Sequence, residues 1–416
     1  MAEVNNFYVE QTSLQATVDT AFINVSGTTI LGSSLAPNTK YLIIAKALFG
    51  GDNASGDFLL RIRTADDTTI ESKSEAMLEP TFTANDELEP YFFVHSYSTD
   101  GTPNDIRFQL RTNSAIRTAR VDQLSLLLID LDDLGSDNYF EDINADDSVE
   151  LDDAPTFTTL ANLSAADLGI IEEWLLLGYA RIEMGSTGRN FDVRLMAAND
   201  GSSQVEMNYH SAEGEDTGNL RVVGVAGRHK AVTSNVAAAI QALEEAANGN
   251  HLNRGGYLIA LKTSAFADFE FAFNSGDISV STTETTLATI TDYTPSTATN
   301  HLIVGRCNLN DTGGNSRIAT YVENGAGTNL MAGDDVAFQT QNWDDTDLEM
   351  ACSSMRESLP ASQDTFDLQG ILDTGETSRN FEYRWLLMLN LEKADGIPPA
   401  GWGPLIGGHR NRLVMQ

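Results

Sequence analysis

The sequence predicts an all-β protein made of three tandem, related β-sandwich or jelly-roll-like domains. Three observations carry that prediction. Five landmark segments recur in the same order three times, at a period of roughly 130 residues, about the size of a whole domain and too long for a solenoid repeat. Within each copy, apolar and polar residues alternate with period two, as a strand with one buried face requires. Clusters of Gly, Asn, Asp and Ser stand between the alternating segments, where hairpin turns need them.

The first landmark is a short β-branched segment: TAFINV around Phe22, FTTLANL around Leu160 and TTLATI around Leu287. Branched side chains suit a pleated, half-buried surface. The second is a long apolar strand, YLIIAKALF from Tyr41, WLLLGYARIE from Trp174 and HLIVGRCNL from His301. A Gly-rich turn (GGDNASGD, GSTGRN, DTGGNS) and a partner strand follow it. In the first copy Phe58, Leu60 and Ile62 face one way while Arg61 and Arg63 face the other. The third landmark is YFFVHSYS at Tyr91, LRVVGVAG at Leu220 and LEMACSSM at Leu348. The fourth begins near Ile106, Val236 and Phe366, with Ile106, Phe108 and Leu110 alternating against Arg107, Gln109 and Arg111. Each copy closes on LSLLLIDL, GYLIALK or RWLLMLNL, centred on Leu127, Leu258 and Leu386. The repeat sets domains at 1–136, 137–273 and 274–398, with a tail over 399–416. One segment reads differently. Ser234–Gly249, SNVAAAIQALEEAANG, has a capping residue, an Ala- and Glu-rich body and a Gly stop, and predicts a helix elaborating the second domain.

Leu42, Ile43 and Ile44, and likewise Leu126, Leu127, Leu128 and Ile129, are apolar on both faces. A strand with one wet face would not carry this, so a neighbouring domain or another subunit must cover the second face. Leu126 and Leu128 are therefore candidate interface residues, and a homo-oligomer, most simply a homotrimer, is expected. The tail, with GWGPLIGGHRNRLVMQ, is apolar and basic. Trp402, Arg410 and Arg412 make it a candidate docking strap on an acidic body.

Sixty acidic residues against 25 basic ones give a formal net charge of −35, and the only lysines are Lys40, Lys46, Lys73, Lys230, Lys262 and Lys393. Nucleic acid is excluded as a partner, because phosphate binding needs a basic field. The acidic exterior favours solubility and suits a saline medium, where screening reduces self-repulsion. No apolar run approaches the roughly 18 residues of a membrane helix, and the opening MAEVNNFYVEQTS has no leader pattern, so synthesis in a cytoplasm is expected. Cys307 and Cys352 are too few for a disulfide framework and read as small buried thiols.

No motif for catalysis or a cofactor stands out. His95, His210, His229, His251, His301 and His409 never fall at the spacing of a metal-binding helix, and there is no nucleophile elbow, phosphate loop or dinucleotide fingerprint. No carboxylate is singled out by an apolar setting, so no catalytic residue and no cofactor is assigned. DINADDSVELDD places oxygen ligands at Asp142, Asn144, Asp146, Ser148, Glu150 and Asp153, the spacing of an EF-hand-like calcium loop. Asp147 stands where that loop's sharp turn wants glycine, Asp153 where glutamate is preferred, and no helices flank it. The segment therefore reads as an acidic linker, with calcium binding as the alternative.

Three related sandwiches in one chain, with no catalytic constellation, basic groove or membrane span, resemble the structural proteins of tailed double-stranded DNA viruses. The likeness is to the capsid decoration, or cement, proteins, which are often trimeric. That resemblance implies a non-enzymatic protein on the virion surface, made in the host cytoplasm and bound to the major capsid protein or another virion protein. A tail-fibre or receptor-binding protein is the alternative, with loops such as QTQNWDDTD (Gln339–Asp347) reading a host glycan. A secreted polysaccharide-active enzyme is a third reading.

Overall fold

The computed structural model describes residues 3–394 except 52–56, 65–67, 79–86, 145–148, 186–189, 214–217, 246–249, 296–297, 311–315, 331–338, 342–347 and 374–377. Three times over, the chain forms the same pair of facing antiparallel sheets.

In the first unit, Asn6–Gln11, Ala119–Asp130, Lys40–Gly51 and Glu87–Ser98 form one sheet in that order; Ile23–Asn24, Arg107–Thr112, Phe58–Arg63 and Ala76–Leu78 form the other. Numbered along the chain as strands 1 to 8, the order is 1-8-3-6 facing 2-7-4-5, the jelly-roll winding. The second unit repeats it with Tyr139–Asn144, Leu252–Lys262, Glu173–Glu183 and Leu220–Ala231 facing Thr158–Leu163, Ala238–Glu244, Asn190–Ala197 and Val205–Glu213. The third uses Phe269–Asn274, Arg379–Asn390, Thr299–Asn310 and Leu348–Leu359 facing Thr285–Tyr293, Asp364–Leu372, Ser316–Asn324 and Gln339–Gln341. The segments beginning at Tyr41, Trp174 and His301 are strand 3 of their units, and all five landmarks occupy equivalent places.

Two expectations need correction. The helix expected over 234–249 gives way to a strand: Ala238–Glu244 is strand 7 of the second unit, paired with Thr158–Leu163 on one side and Asn190–Ala197 on the other, and 246–249 lie outside the described residues. Helix propensity is a weak prior, and burial on both sides of a central strand overrides it. Small alanines suit that place because Ile240 already presses on the neighbouring sheet, where a Cβ at Gly178 would stand 3.0 Å from its Cδ1. The second correction concerns a boundary. Phe269–Asn274 pairs with Arg379–Asn390 and so opens the third unit, which the expected division at 273/274 assigned to the second. Sequence reading missed strand 1 in every unit, because its alternation is short and only half-buried.

The apolar pattern on both faces of strands 3 and 8 is explained within one chain. Leu176, Ala180, Leu258 and Ala260 pack into the second sandwich, and Ile303, Cys307, Leu386 and Met388 into the third. The alternate residues turn outward and join a single cluster that draws on all three units. The ladder registers make the members equivalent. Leu42, Leu175 and Leu302 pair with Ile129, Leu261 and Leu389; Ile44, Leu177 and Val304 pair with Leu127, Ile259 and Leu387. The chain is a covalent pseudo-trimer whose units close around a common core. Strand 5 of each unit lies against strand 6 of the next: Ala76–Leu78 against Leu220–Ala231, Val205–Glu213 against Leu348–Leu359, and Gln339–Gln341 against Glu87–Ser98. At the first of these junctions Leu220 pairs with Met77, so two units share a ten-stranded sheet.

The parity of that packing corrects one interface assignment. Leu127 and Ile129 face the neighbouring units, whereas Leu126 and Leu128 point into their own sandwich, one residue out of step with the expectation.

Candidate functional site

The most distinctive chemistry lies where the three units meet. One ladder step beyond Ile44, Leu177 and Val304, the outward positions on strand 3 hold Lys46, Tyr179 and Arg306, at 2%, 1% and 1% exposure. Their strand 8 neighbours are Ser125, Tyr257 and Trp385. On strand 6, Lys46 pairs with Phe92 and Tyr179 with Gly224. Gly224 of the second unit touches both others. A Cβ there would lie 2.3 Å from the Phe92 ring, and its carbonyl accepts a hydrogen bond from Arg306 Nη1 at 2.9 Å. Only glycine allows that approach.

Polar ties flank the apolar core and differ from junction to junction. Between the first and second units, Lys40 pairs with Glu141 and Arg221 with Glu89, while Arg181 Nε donates to the Glu75 carbonyl at 3.1 Å. Phe93 packs on Tyr179 at 4.7 Å between centroids, and His95 stacks on Tyr257 at 4.8 Å. The Tyr257 hydroxyl donates to Glu141 at 2.8 Å. Burial alone would raise the Glu141 carboxyl, but the hydrogen bonds from Lys40 and Tyr257 bring it below its ordinary value. Between the second and third units, Tyr383 donates to Glu206 at 2.5 Å and stacks over Tyr209. Between the third and first, Asn300 donates to Glu3 through its backbone N–H at 3.1 Å, and Lys393 meets Asp133 at 2.5 Å, both side chains 8% exposed. Lys40 and Lys393 are thus spent on junctions, as is Lys73, whose ammonium donates to the Arg254 carbonyl at 3.2 Å.

The described histidines sit in structural settings, and His409 lies outside the described residues. His301 Nε2 lies 2.7 Å from the Tyr293 hydroxyl, and the Ala198 N–H donates to His229 Nδ1 at 3.2 Å. Burial lowers His229 to about 4. Burial, with Arg306 nearby, lowers His210 to about 3. Such values keep both rings neutral at pH 7, so neither supplies a proton there. Among the described residues, no group of three or more His, Cys, Asp or Glu converges on a point that could hold a metal ion.

The calcium candidates are spread out. Asp142 and Asn144 belong to strand 1 of the second unit, opposite Leu258 and Gly256, and Glu150 lies opposite Leu252 on the same partner strand. Six residues of extended strand put Asp142 and Glu150 roughly 20 Å apart along the ladder. Asp142 instead accepts the Asn162 N–H at 2.7 Å, and Asp153 forms a bridge with Glu244. The segment is an interrupted edge strand, and the same break and resumption of strand 1 recurs at Gln15–Thr17 and Ile278–Val280. Asp146 and Ser148 lie outside the described residues, as do Trp402, Arg410, Arg412 and most of Gln339–Asp347.

No family model and no curated protein matches the chain. Solved structures do. The chain is similar to the triple jelly-roll turret protein of an archaeal virus, at 10% identity over 92% of this chain and 89% of that one, with a TM-score of 0.20. It is similar to a protein of the infectious bursal disease virus particle, at 8% identity over 92% and 78%, TM-score 0.23. It is also similar to the N-terminal CBM22 tandem domain of Paenibacillus barcinonensis Xyn10C, at 9% identity over 62% and 93%, TM-score 0.21. These are distant jelly-roll likenesses, to viral capsid proteins on one side and a carbohydrate-binding tandem on the other.

Proposed function

We propose that this chain is a non-enzymatic virion structural protein that binds the outer surface of an assembled particle as a decoration or cement protein. One observation supports the reading above all: three jelly rolls close head to tail around one shared core, giving a block of trimeric shape from a single chain. Such a block suits a lattice of threefold or quasi-threefold sites, where many copies offset modest single-site affinity through avidity. The apolar strand faces that argued for a homotrimer are already covered by sister units, so the docking contact with the major capsid protein is assigned to the exterior and to the basic 399–416 tail. The excess of carboxylates fits the exposed side of a particle that must stay dispersed.

The test is particle purification from an infected culture, followed by immunodetection and cryo-electron microscopy. The chain should co-sediment with full particles and leave under mild chaotrope while the shell stays intact, and a variant lacking 399–416 should bind stripped shells less. Recovery only in the particle-free fraction would falsify the assignment. Location on tail fibres instead would favour receptor binding.

A further inference from the structure

We infer that the third unit carries a binding site for an acidic sugar, a monosaccharide unit bearing a carboxylate, in the cavity beside Arg384. The inference does not depend on a virion location. The cavity holds about 380 Å³, within the range of small-ligand sites, and lies between strands 1 and 2 of the unit. Ala272 and Ile278 give it apolar wall, Asn274, Thr286 and Thr289 give it amide and hydroxyl groups, and Arg384 closes it, while the Phe273 ring turns to the shared core.

Arg384 is the unusual member. It is 4% exposed, yet forms no ion pair within 4 Å among the described residues, and desolvation lowers its pKa against smaller opposing effects of Cys307 and Asp277. Nη1 donates to the Leu287 carbonyl at 3.0 Å and Nη2 to the Gly276 carbonyl at 2.7 Å, and buried Nε has no partner among the described residues. A guanidinium has five N–H donors, and two are used. Burying that charge with Asp277 acting only from beyond direct contact is costly, so a structural reason should exist if no ligand does.

The sister units provide the control. Arg384 pairs with Asn274 across strands 8 and 1; the equivalent pairs are Leu124 with Gln11 and Gly256 with Asn144. The same fold therefore forms with an apolar side chain or none at that place. In the second unit, strand 2 closes onto Gly256, where a Cβ would stand 3.1 Å from the Leu160 carbonyl oxygen. Leu160 and Leu287 hold the same bulged place in their ladders. Arg384 holds Leu287 away and leaves the cavity open. A planar fork with an unused N–H on each Nη, beside amide and hydroxyl groups, matches a carboxylate on a polyhydroxylated ring.

The experiment uses the full chain, titrated with sodium D-glucuronate and followed by isothermal calorimetry and thermal shift, with D-glucose and sodium acetate as controls. Glucuronate should bind and raise the melting temperature, and the controls should do neither. Arg384→Lys should weaken binding by about tenfold or more, since the fork geometry is lost. Thr286→Trp, on the exposed rim, should abolish binding with the fold and Arg384 intact, which covers the case of an Arg384 variant that misfolds. Absence of glucuronate binding, an equal response to glucose or acetate, or full binding by Thr286→Trp would each overturn the proposal.

Discussion

Truncating the shared core at one ladder level tests the pseudo-trimer most directly. Ile44, Leu177 and Val304 are 2%, 0% and 0% exposed, and each faces away from its own sandwich. On a free-standing unit these side chains would lie in water, where replacement by alanine costs within about 0.5 kcal/mol. Buried between units, Ile44→Ala and Leu177→Ala should each cost about 2–5 kcal/mol, combining lost transfer energy with an unfilled cavity. Val304→Ala removes two methyl groups and should cost roughly 1.6 kcal/mol or somewhat more. Urea unfolding at constant m-value measures all three. Because the side chains share one cluster, the Ile44→Ala/Leu177→Ala pair should depart from additivity, whereas sites in separate cores would add. Three losses below about 0.5 kcal/mol would refute the common core, because they would place these residues in solvent.

Other perturbations reach different parts of the design. Gly224→Ala sets a methyl group 2.3 Å from the Phe92 ring and should lower stability by about 1–3 kcal/mol, partly restored by Phe92→Leu; a neutral Gly224→Ala would show that the units stand further apart. Acid should weaken the protein through His210 and His229, lowered to about 3 and about 4 by burial. The unfolded chain, with histidine near 6.5, binds more protons in that window, so their contribution is complete above about pH 6.5 and is lost progressively as pH falls toward those values. Asp130, raised by burial, works in the opposite sense. Urea midpoints from pH 7 to 4 should fall less steeply for His210→Gln, and parallel profiles would remove His210 from the account. Sedimentation across a salt series should give one species at the 45.1 kDa of a single chain, and a threefold heavier species would restore the homotrimer.

Much of this architecture was legible because strand periodicity and turn punctuation are local properties. The Tyr41, Trp174 and His301 segments could be matched by eye, and their two-faced apolar runs correctly announced a second covering surface. What covered it was not legible, since a neighbouring domain and a second copy leave the same pattern in a sequence. Leu126 and Leu128 were placed on the wrong face because a one-residue slip inverts every side chain, and register is fixed by partners remote in sequence. Ser234–Gly249 misled because alanine serves a helix and a tightly covered strand equally well. Arg384 carried no sequence signal at all: only alignment with Leu124 and Gly256 through the ladders marks it as out of place.

Covalent linkage explains features that a homotrimer could not share. Three identical subunits would bring three copies of Lys46, or three of Arg306, to equivalent positions on the common axis, and like charges at low dielectric repel strongly. Here the same level holds one lysine, one tyrosine and one arginine, and Gly224 alone accommodates Phe92 and accepts from Arg306. The junctions are unlike as well: two charged pairs join the first and second units, tyrosine contacts join the second and third, and Lys393 with Asp133 joins the third and first. Each unit therefore meets a neighbour it cannot exchange for another, and the order of units around the axis is fixed by chemistry as well as by the chain. One unit is also free to open a cavity, as the third does at Arg384, without imposing the same loss of packing on the other two.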